Sequence, residues 1–274
     1  MPSVRAADTA ATQALAITHW LCTSSGDGRD YVPWHTVQRV PTRGQANRVL
    51  GRASGREHHL LSELETDCLY LLDWCDDVLD VREQYPLLPL EETLRLADDL
   101  GVAHPLHPRQ RYPVVMTTDF LVSRRTPFGP VTEALAVKLA AALDDQRTLE
   151  KLEIERRYWA ARSTRWQLVT ERELPRPVVQ NVRWAAAVRD LRDFPVPPAD
   201  IPALLDALSA QIVPAAAPLA RICSQQDERL GWRLGTSLAL VRHALATKRW
   251  HTDLAIPILP DQPLQLLWGL GAVP

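Results

Sequence analysis

Three side chains in this sequence have the types and order of a metal-assisted hydrolytic site. Glu65 lies in the helical pattern His58-His59-Leu60-Leu61-Ser62-Glu63-Leu64-Glu65, Asp119 follows the apolar run Pro113-Val114-Val115-Met116, and Lys138 closes a second apolar run nineteen residues later. Hydrolysis of a phosphodiester needs a nucleophilic water, charge neutralisation at phosphorus and a stabilised leaving oxygen, and one or two Mg²⁺ ions can supply all three. Mg²⁺ takes hard oxygen ligands, typically one or two carboxylates completed by water and substrate phosphate. Side chains alternate along a strand, so Ala134, Ala136 and Lys138 share one face and Glu133, Leu135 and Val137 the other. Lys138 is then expected in the same cleft as Asp119, orienting or polarising the attacking water, while Val137 offers its backbone carbonyl to a metal. The same spacing also arises from a strand-end aspartate and a snorkelling surface lysine. A carboxylate on the margin of a helix is ordinarily only solvated, so the residues by themselves leave both readings open.

The elements that must position these groups follow from periodicity. A polar, irregular stretch over 1–56 holds one short helix near 10–21. Leu60, Leu61, Leu64, Cys68, Leu71 and Leu72 recur at helical spacing and predict a helix over 57–74, with Glu65 on the margin of the stripe. A short strand is expected at 78–81 and a helix at 91–100. The β-rich runs 114–123 and 133–139 flank a turn at 127–130 and predict an antiparallel hairpin. A helix over 146–162 and a strand over 166–169 follow. Pro175 and Pro177 mark a boundary, which divides the chain into 1–172 and 173–274. Beyond it, helices are expected at 178–192, 201–212, 215–228 and 232–247. Two extended runs at 250–256 and 264–268 would add a two-stranded wing.

Composition narrows the function classes. The 274 residues are 46% hydrophobic with a formal net charge of −2, enough for packed cores and too little positive charge for a generic polyanion binder. The most basic, acid-free segment carries Arg39, Arg43, Arg48, Arg52 and Arg56, either a phosphate-facing patch or a solvated arm. Cys22, Cys68, Cys75 and Cys223 form no close pair and are expected as buried, reduced thiols rather than a zinc or redox site. No signal peptide and no run of about 18 apolar residues is present, which predicts a cytoplasmic protein.

Longer blocks carry a resemblance. Asp30-Tyr31-Val32-Pro33-Trp34, His58-His59-Leu60-Leu61-Ser62 with Glu65, Val78-Leu79-Asp80-Val81-Arg82-Glu83-Gln84, Thr117-Thr118-Asp119-Phe120-Leu121-Val122 and Arg147-Thr148-Leu149-Glu150-Lys151-Leu152-Glu153 up to Tyr158-Trp159 stand in one order from about 28 to 184. In these blocks the sequence resembles the TnsA family, endonuclease subunits of the heteromeric cut-and-paste transposases of Tn-seven-type elements. The resemblance implies an α/β, restriction-endonuclease-like fold, a mixed sheet with flanking helices, followed by a small helical winged-helix-like domain. It implies Glu65, Asp119 and Lys138 as catalytic residues, with Glu65, Asp119 and the Val137 carbonyl on Mg²⁺ (or Mn²⁺) and with Gln84 and Glu155 in support. It further implies cleavage of the 5′ strands at transposon-end DNA beside a TnsB-like DDE transposase that cuts the 3′ strands. A TnsC-like AAA+ ATPase would dock mainly on the C-terminal part.

The sequence departs from the family pattern at one place. Two residues before the lysine, where Gln or Glu is usual, stands Ala136. Glu133 is a poor substitute, about 10 Å along the strand and on the opposite face. Either the remaining oxygens suffice, or the chain is a catalytically impaired subunit bridging the transposase and its regulator. A stand-alone winged-helix transcription factor would leave the first 170 residues unexplained and has few basic residues near 232–247.

Overall fold

The computed structural model describes residues 4–38, 46–191 and 194–267, in two compact units, Met1–Leu174 and Pro175–Pro274.

The first unit runs α1 (Val4–Thr23), β1 (Asn47–Leu50), β2 (Glu57–Leu60), α2 (Glu63–Trp74), β3 (Val78–Pro86), α3 (Leu90–Leu100), β4 (Thr117–Thr126), β5 (Gly129–Val137), α4 (Gln146–Ala160) and β6 (Arg165–Val169). Its main sheet has the order β3-β4-β5-β6. The first three strands are antiparallel and β6 joins β5 in parallel, so the sheet is mixed and flanked by helices, as expected. Both faces are covered. Phe120, Val122, Leu135 and Val137 pack with Cys68, Leu69 and Leu72 of α2. Leu121 and Ala134 pack with Leu96 of α3 and Ile154, Tyr158 and Trp159 of α4. Burial on both sides is why β4 and β5 read as nearly continuous apolar runs.

Several boundaries move. The helix expected over 57–74 starts only at Glu63, because residues 57–60 pair with β1 as a strand and Ser62 caps the helix. Leu60 and Leu61 mimic a helical stripe only because they adjoin one. The short strand at 78–81 extends to Pro86, and the hairpin strands are 117–126 and 129–137. Cys68 and Cys223 are buried, but Cys22 is exposed and Cys75 only half-buried; all four are free thiols.

The second unit holds α5 (Arg176–Ala186), α6 (Ile201–Ile212), α7 (Leu219–Leu230) and α8 (Thr236–Ala246). Its core includes Val182, Leu205, Leu208, Leu219, Leu240 and Val241. The expected wing is not formed: no strand occurs among the described residues after β6. One backbone bond, Leu267 N to His251 O at 2.8 Å, links the two expected runs, too little for a ladder. The Asn181 side chain instead bonds Leu254 O, Ile256 O and Ile258 N, and Gln262 O and Pro260 O accept the first amides of α7. Trp268 lies outside the described residues. No described helix is long and apolar enough to cross a membrane.

Candidate active site

Ser62-Glu63-Leu64-Glu65 has the capping-box spacing, with Glu65 reaching back one residue beyond the N-cap, to Leu61 N. The Ser62 hydroxyl accepts from Glu65 N at 3.1 Å and donates to Glu65 Oε1 at 2.9 Å, while Leu61 N donates to Glu65 Oε2 at 2.9 Å. The carboxylate that the sequence set on a helix margin is thus fixed by two local hydrogen bonds and buried.

Asp119, the third residue of β4, and Lys138, just past the end of β5, meet directly. Asp119 Oδ2 accepts from Lys138 Nζ and from Val137 N, each at 2.6 Å, and Val137 O accepts from Lys138 Nζ at 3.0 Å. Lys138 N donates to Val169 O at 3.0 Å, so parallel β6 sets the lysine backbone. Glu155 comes up from α4 beneath the pair, fully inside the fold. It accepts from Thr118 Oγ1 and from Trp166 Nε1, the latter at 3.1 Å.

Gln84 completes the cluster from the other neighbouring strand. Glu83 pairs with Phe120 and Tyr85 with Thr118, which sets Gln84 opposite Asp119. Its Nε2 donates to Glu65 Oε2 at 3.3 Å and its Oε1 accepts from Thr117 Oγ1 at 3.2 Å. Gln84 has φ +48°, a left-handed backbone that a non-glycine residue holds at a cost of order 1–2 kcal/mol. That twist breaks the strand alternation and lets Glu83 and Gln84 both be buried.

The electrostatics bind these groups into one site. Burial, then the charge of Asp119, pushes Glu65 up to about 7, against the hydrogen bonds from Leu61 and Ser62. Burial and Asp119 push Glu155 up to about 7 as well. For Lys138, burial favours the neutral amine, but Asp119, Glu155 and Glu65 outweigh it and hold the ammonium above its ordinary value. Three buried acids therefore face one lysine, a deficit of positive charge that marks functional sites more often than structural ones.

The sequence comparisons give this site its family. The model of the "TnsA-like endonuclease N terminal" family matches residues 75–171, and that of "TnsA endonuclease C terminal" matches residues 173–254. A relative, "Transposon Tn7 transposition protein TnsA" of Escherichia coli, is 39% identical over 230 residues, spanning 79% of this chain and 77% of the relative. The chain belongs to the TnsA endonuclease family. Asp119, Lys138 and Glu155 lie inside the N-terminal match, whereas Glu65 precedes it.

A metal would find hard oxygens only. Among the described residues no three His, Cys, Asp or Glu side chains form a metal-binding group, but Mg²⁺ needs only one or two carboxylates. The Lys138 ammonium, bridging Asp119 Oδ2 and Val137 O, is a built-in cation touching two of the oxygens proposed from the sequence. The donor set fits Mg²⁺. Ala136, where the TnsA pattern has an amide or acid, is fully buried and adds no donor. Continuing the β4–β5 register one residue beyond Phe120↔Leu135 sets it beside Asp119. Glu133 binds Arg124 and Gln167 instead.

The arginine segment reads differently in three dimensions. Arg56 is buried and grips Glu83 through both guanidinium nitrogens, with Val81 O accepting as well; it is unavailable to phosphate, contrary to expectation. Arg52 donates to Asp73 O and Cys75 O, and Arg48 pairs with Glu57 on the surface. Arg39 and Arg43 lie outside the described residues.

Sequence reasoning missed Ser62, Thr118 and Trp166. The S-x-x-E spacing signals the first, but nothing local signals Thr118 and Trp166, which find Glu155 only through the β4–β5–β6 pairing. A second polar cluster was also missed. Ser54 Oγ lies 2.7 Å from His58 Nε2, and His58 Nδ1 2.7 Å from Glu83 Oε2. The geometry is that of a nucleophilic triad. However, Gly51 closes over it: a Cβ there would sit 2.4 Å from His58 Nε2, so no substrate can reach the serine.

Proposed function

We propose that this chain is the DNA endonuclease of a Tn7-type cut-and-paste transposase, hydrolysing the 5′ strands at transposon ends while a TnsB-like DDE partner cuts the 3′ strands. The observation that carries this reading is the Asp119–Lys138 pair at the strand ends, ringed by the buried acids Glu65 and Glu155. Mg²⁺, when bound, would supply charge neutralisation at phosphorus and an activated water. Asp119, Glu65 and the Val137 carbonyl would hold it. The ammonium of Lys138, kept charged by three acids, orients the attacking water and faces the phosphoryl charge. Gln84 and Ser62 hold Glu65 in place, and Thr118 with Trp166 holds Glu155. A TnsC-like AAA+ ATPase would engage the second unit, and the protein would work in the cytoplasm, at the nucleoid when assembled.

A second reading rests on Ala136: without a donor there, the subunit is catalytically impaired and serves as a bridge. End-labelled transposon-end DNA, cut with and without partners and read strand by strand in Mg²⁺, tests both. The active reading expects 5′ cleavage by the natural chain and little change in Ala136→Gln. Cleavage only after Gln is installed supports the bridge, and cleavage that survives Lys138→Ala removes the enzymatic role.

A further inference from the structure

The turn just ahead of β4 is a second acid-free basic feature, and it differs from Arg48, Arg52 and Arg56, which are all ion-paired. Residues 101–118 contain no acid and carry His104, His107, Arg109 and Arg111. The turn is braced from within. Leu106 and Pro113 form a β-bridge, His107 N donates to Tyr112 O at 2.8 Å, and Arg111 N to His107 O at 2.9 Å. His107 Nδ1 accepts the amides of Arg109 and Gln110 at 3.3 and 3.2 Å, and its ring stacks on Tyr112 at 5.0 Å. His104 ties the start of the turn to Thr93 of α3 at 3.0 Å. Leu87 N donates to Met116 O at 2.8 Å, pinning its exit to the end of β3.

What this scaffold presents is Arg109 and Arg111, both exposed. Arginines along β1, β3, α3 and α4 are ion-paired, yet among the described residues these two make no ion pair. The turn leads straight into the strand carrying Asp119, at the end of the sheet where Lys138 lies. Arg111 is eight residues before Asp119, which at ~3.3 Å per residue allows at most ~26 Å. With one phosphate of each strand per ~3.4 Å of duplex axis, that is no more than about eight nucleotides along the duplex.

Resting on the endonuclease reading above, we propose that the turn at 107–112 is a phosphate clamp for duplex DNA, in which Arg109 and Arg111 each neutralise a backbone phosphate beside the bond to be cut. The charge and exposure of the two arginines match a polyanion. The internal bracing means that little ordering entropy is lost on contact. Duplex DNA fits better than an acidic protein because the contact needed is one charge per evenly spaced phosphate, without a groove for side chains.

Phosphate contacts carry no sequence information, so a labelled random-sequence duplex is a sufficient probe, titrated with the full chain at several salt concentrations. Arg109→Gln with Arg111→Gln is expected to flatten the slope of log affinity against log salt by about 1.8, two contacts at ~0.9 each. The Lys double variant should keep the slope, and Arg125→Gln, exposed near the far end of β4, should leave it unchanged. Thermal midpoints should not move, because both side chains are solvent-facing. An unchanged slope in the Gln variant overturns the proposal, as does a natural chain without measurable affinity for the duplex at low salt. Loss of partner-protein assembly with the slope intact would reassign the turn to an acidic protein. Lys138→Ala separates the two ideas: cleavage lost with the slope intact leaves the clamp standing, and cleavage retained sinks only the catalytic reading.

Discussion

Glu83 and Gln84 are neighbours on one strand, yet they belong to two buried clusters of opposite character. Around Glu83, charge is complete. Burial alone would raise its carboxyl, but hydrogen bonds and charge from Arg56 and His58 bring it down to about 2, and His59 N supplies another donor. Around Gln84, charge is short. Glu65 and Glu155 are as well buried, and there burial and the like charge of Asp119 outweigh Lys138 and the local hydrogen bonds, so both rise to about 7. Equal burial with opposite shifts shows that partners, not depth, decide which cluster is welded shut and which can accept a cation or move a proton.

The largest effect that could break this contrast is on chemistry. Lys138→Ala is expected to lower 5′-strand cleavage by on the order of 10³-fold with thermal stability nearly kept; comparable cleavage by the variant would put the working site elsewhere. Next comes stability in the other cluster. Arg56→Met leaves Glu83 buried without its partner and is expected to cost about 3–5 kcal/mol in denaturant unfolding. A loss below about 1 kcal/mol would mean that the cluster is not a weld.

The two clusters should also bend the pH profile in opposite directions. Glu83 is depressed from 4.5 to about 2, so its contribution is full above about 4.5 and is lost as pH falls toward 2. Glu65 and Glu155 are raised from 4.5 to about 7, so the folded chain holds extra protons between those values and stability falls as pH rises across them. Unfolding followed from pH 2 to 8 in metal-free buffer should show both limbs. Glu155→Gln should flatten the upper limb, and an identical upper limb in that variant would remove the contrast. The smallest effect is the sharpest in logic. Gln84→Gly relieves the positive φ while deleting the hold on Glu65, so stability should change by about 1 kcal/mol or less while cleavage falls about tenfold. Equal damage to both would make Gln84 merely structural.

What was legible in the sequence follows the same physics. The hairpin and α4 could be read because their apolar patterns are long. Strand alternation allowed Asp119 and Lys138 to share a cleft but left a surface lysine equally open, and the family resemblance favoured the pairing that their direct hydrogen bond now shows. The β1–β2 pair was not legible, since Asn47–Leu50 is too short to show a period and Leu60 and Leu61 extend the stripe of α2. The engagement of Arg56 was hidden because its acid, Glu83, lies 27 positions away. The left-handed backbone at Gln84 has no signature in residue type. The wing failed because its first run and the segment after it are bound by the Asn181 side chain, a partner more than 70 positions away that residue type does not reveal.

The N-terminal cap of α2 has one more consequence. The carboxylate facing Asp119 is also the clasp over Leu61 N and the Ser62 hydroxyl. Anything that draws Glu65 outward loosens that clasp, and deuterium should then enter the amides of residues 61–65 ahead of the rest of the helix. The opening turn of α2 is in that sense a gauge of the site, readable by hydrogen exchange in a tube that contains no DNA at all.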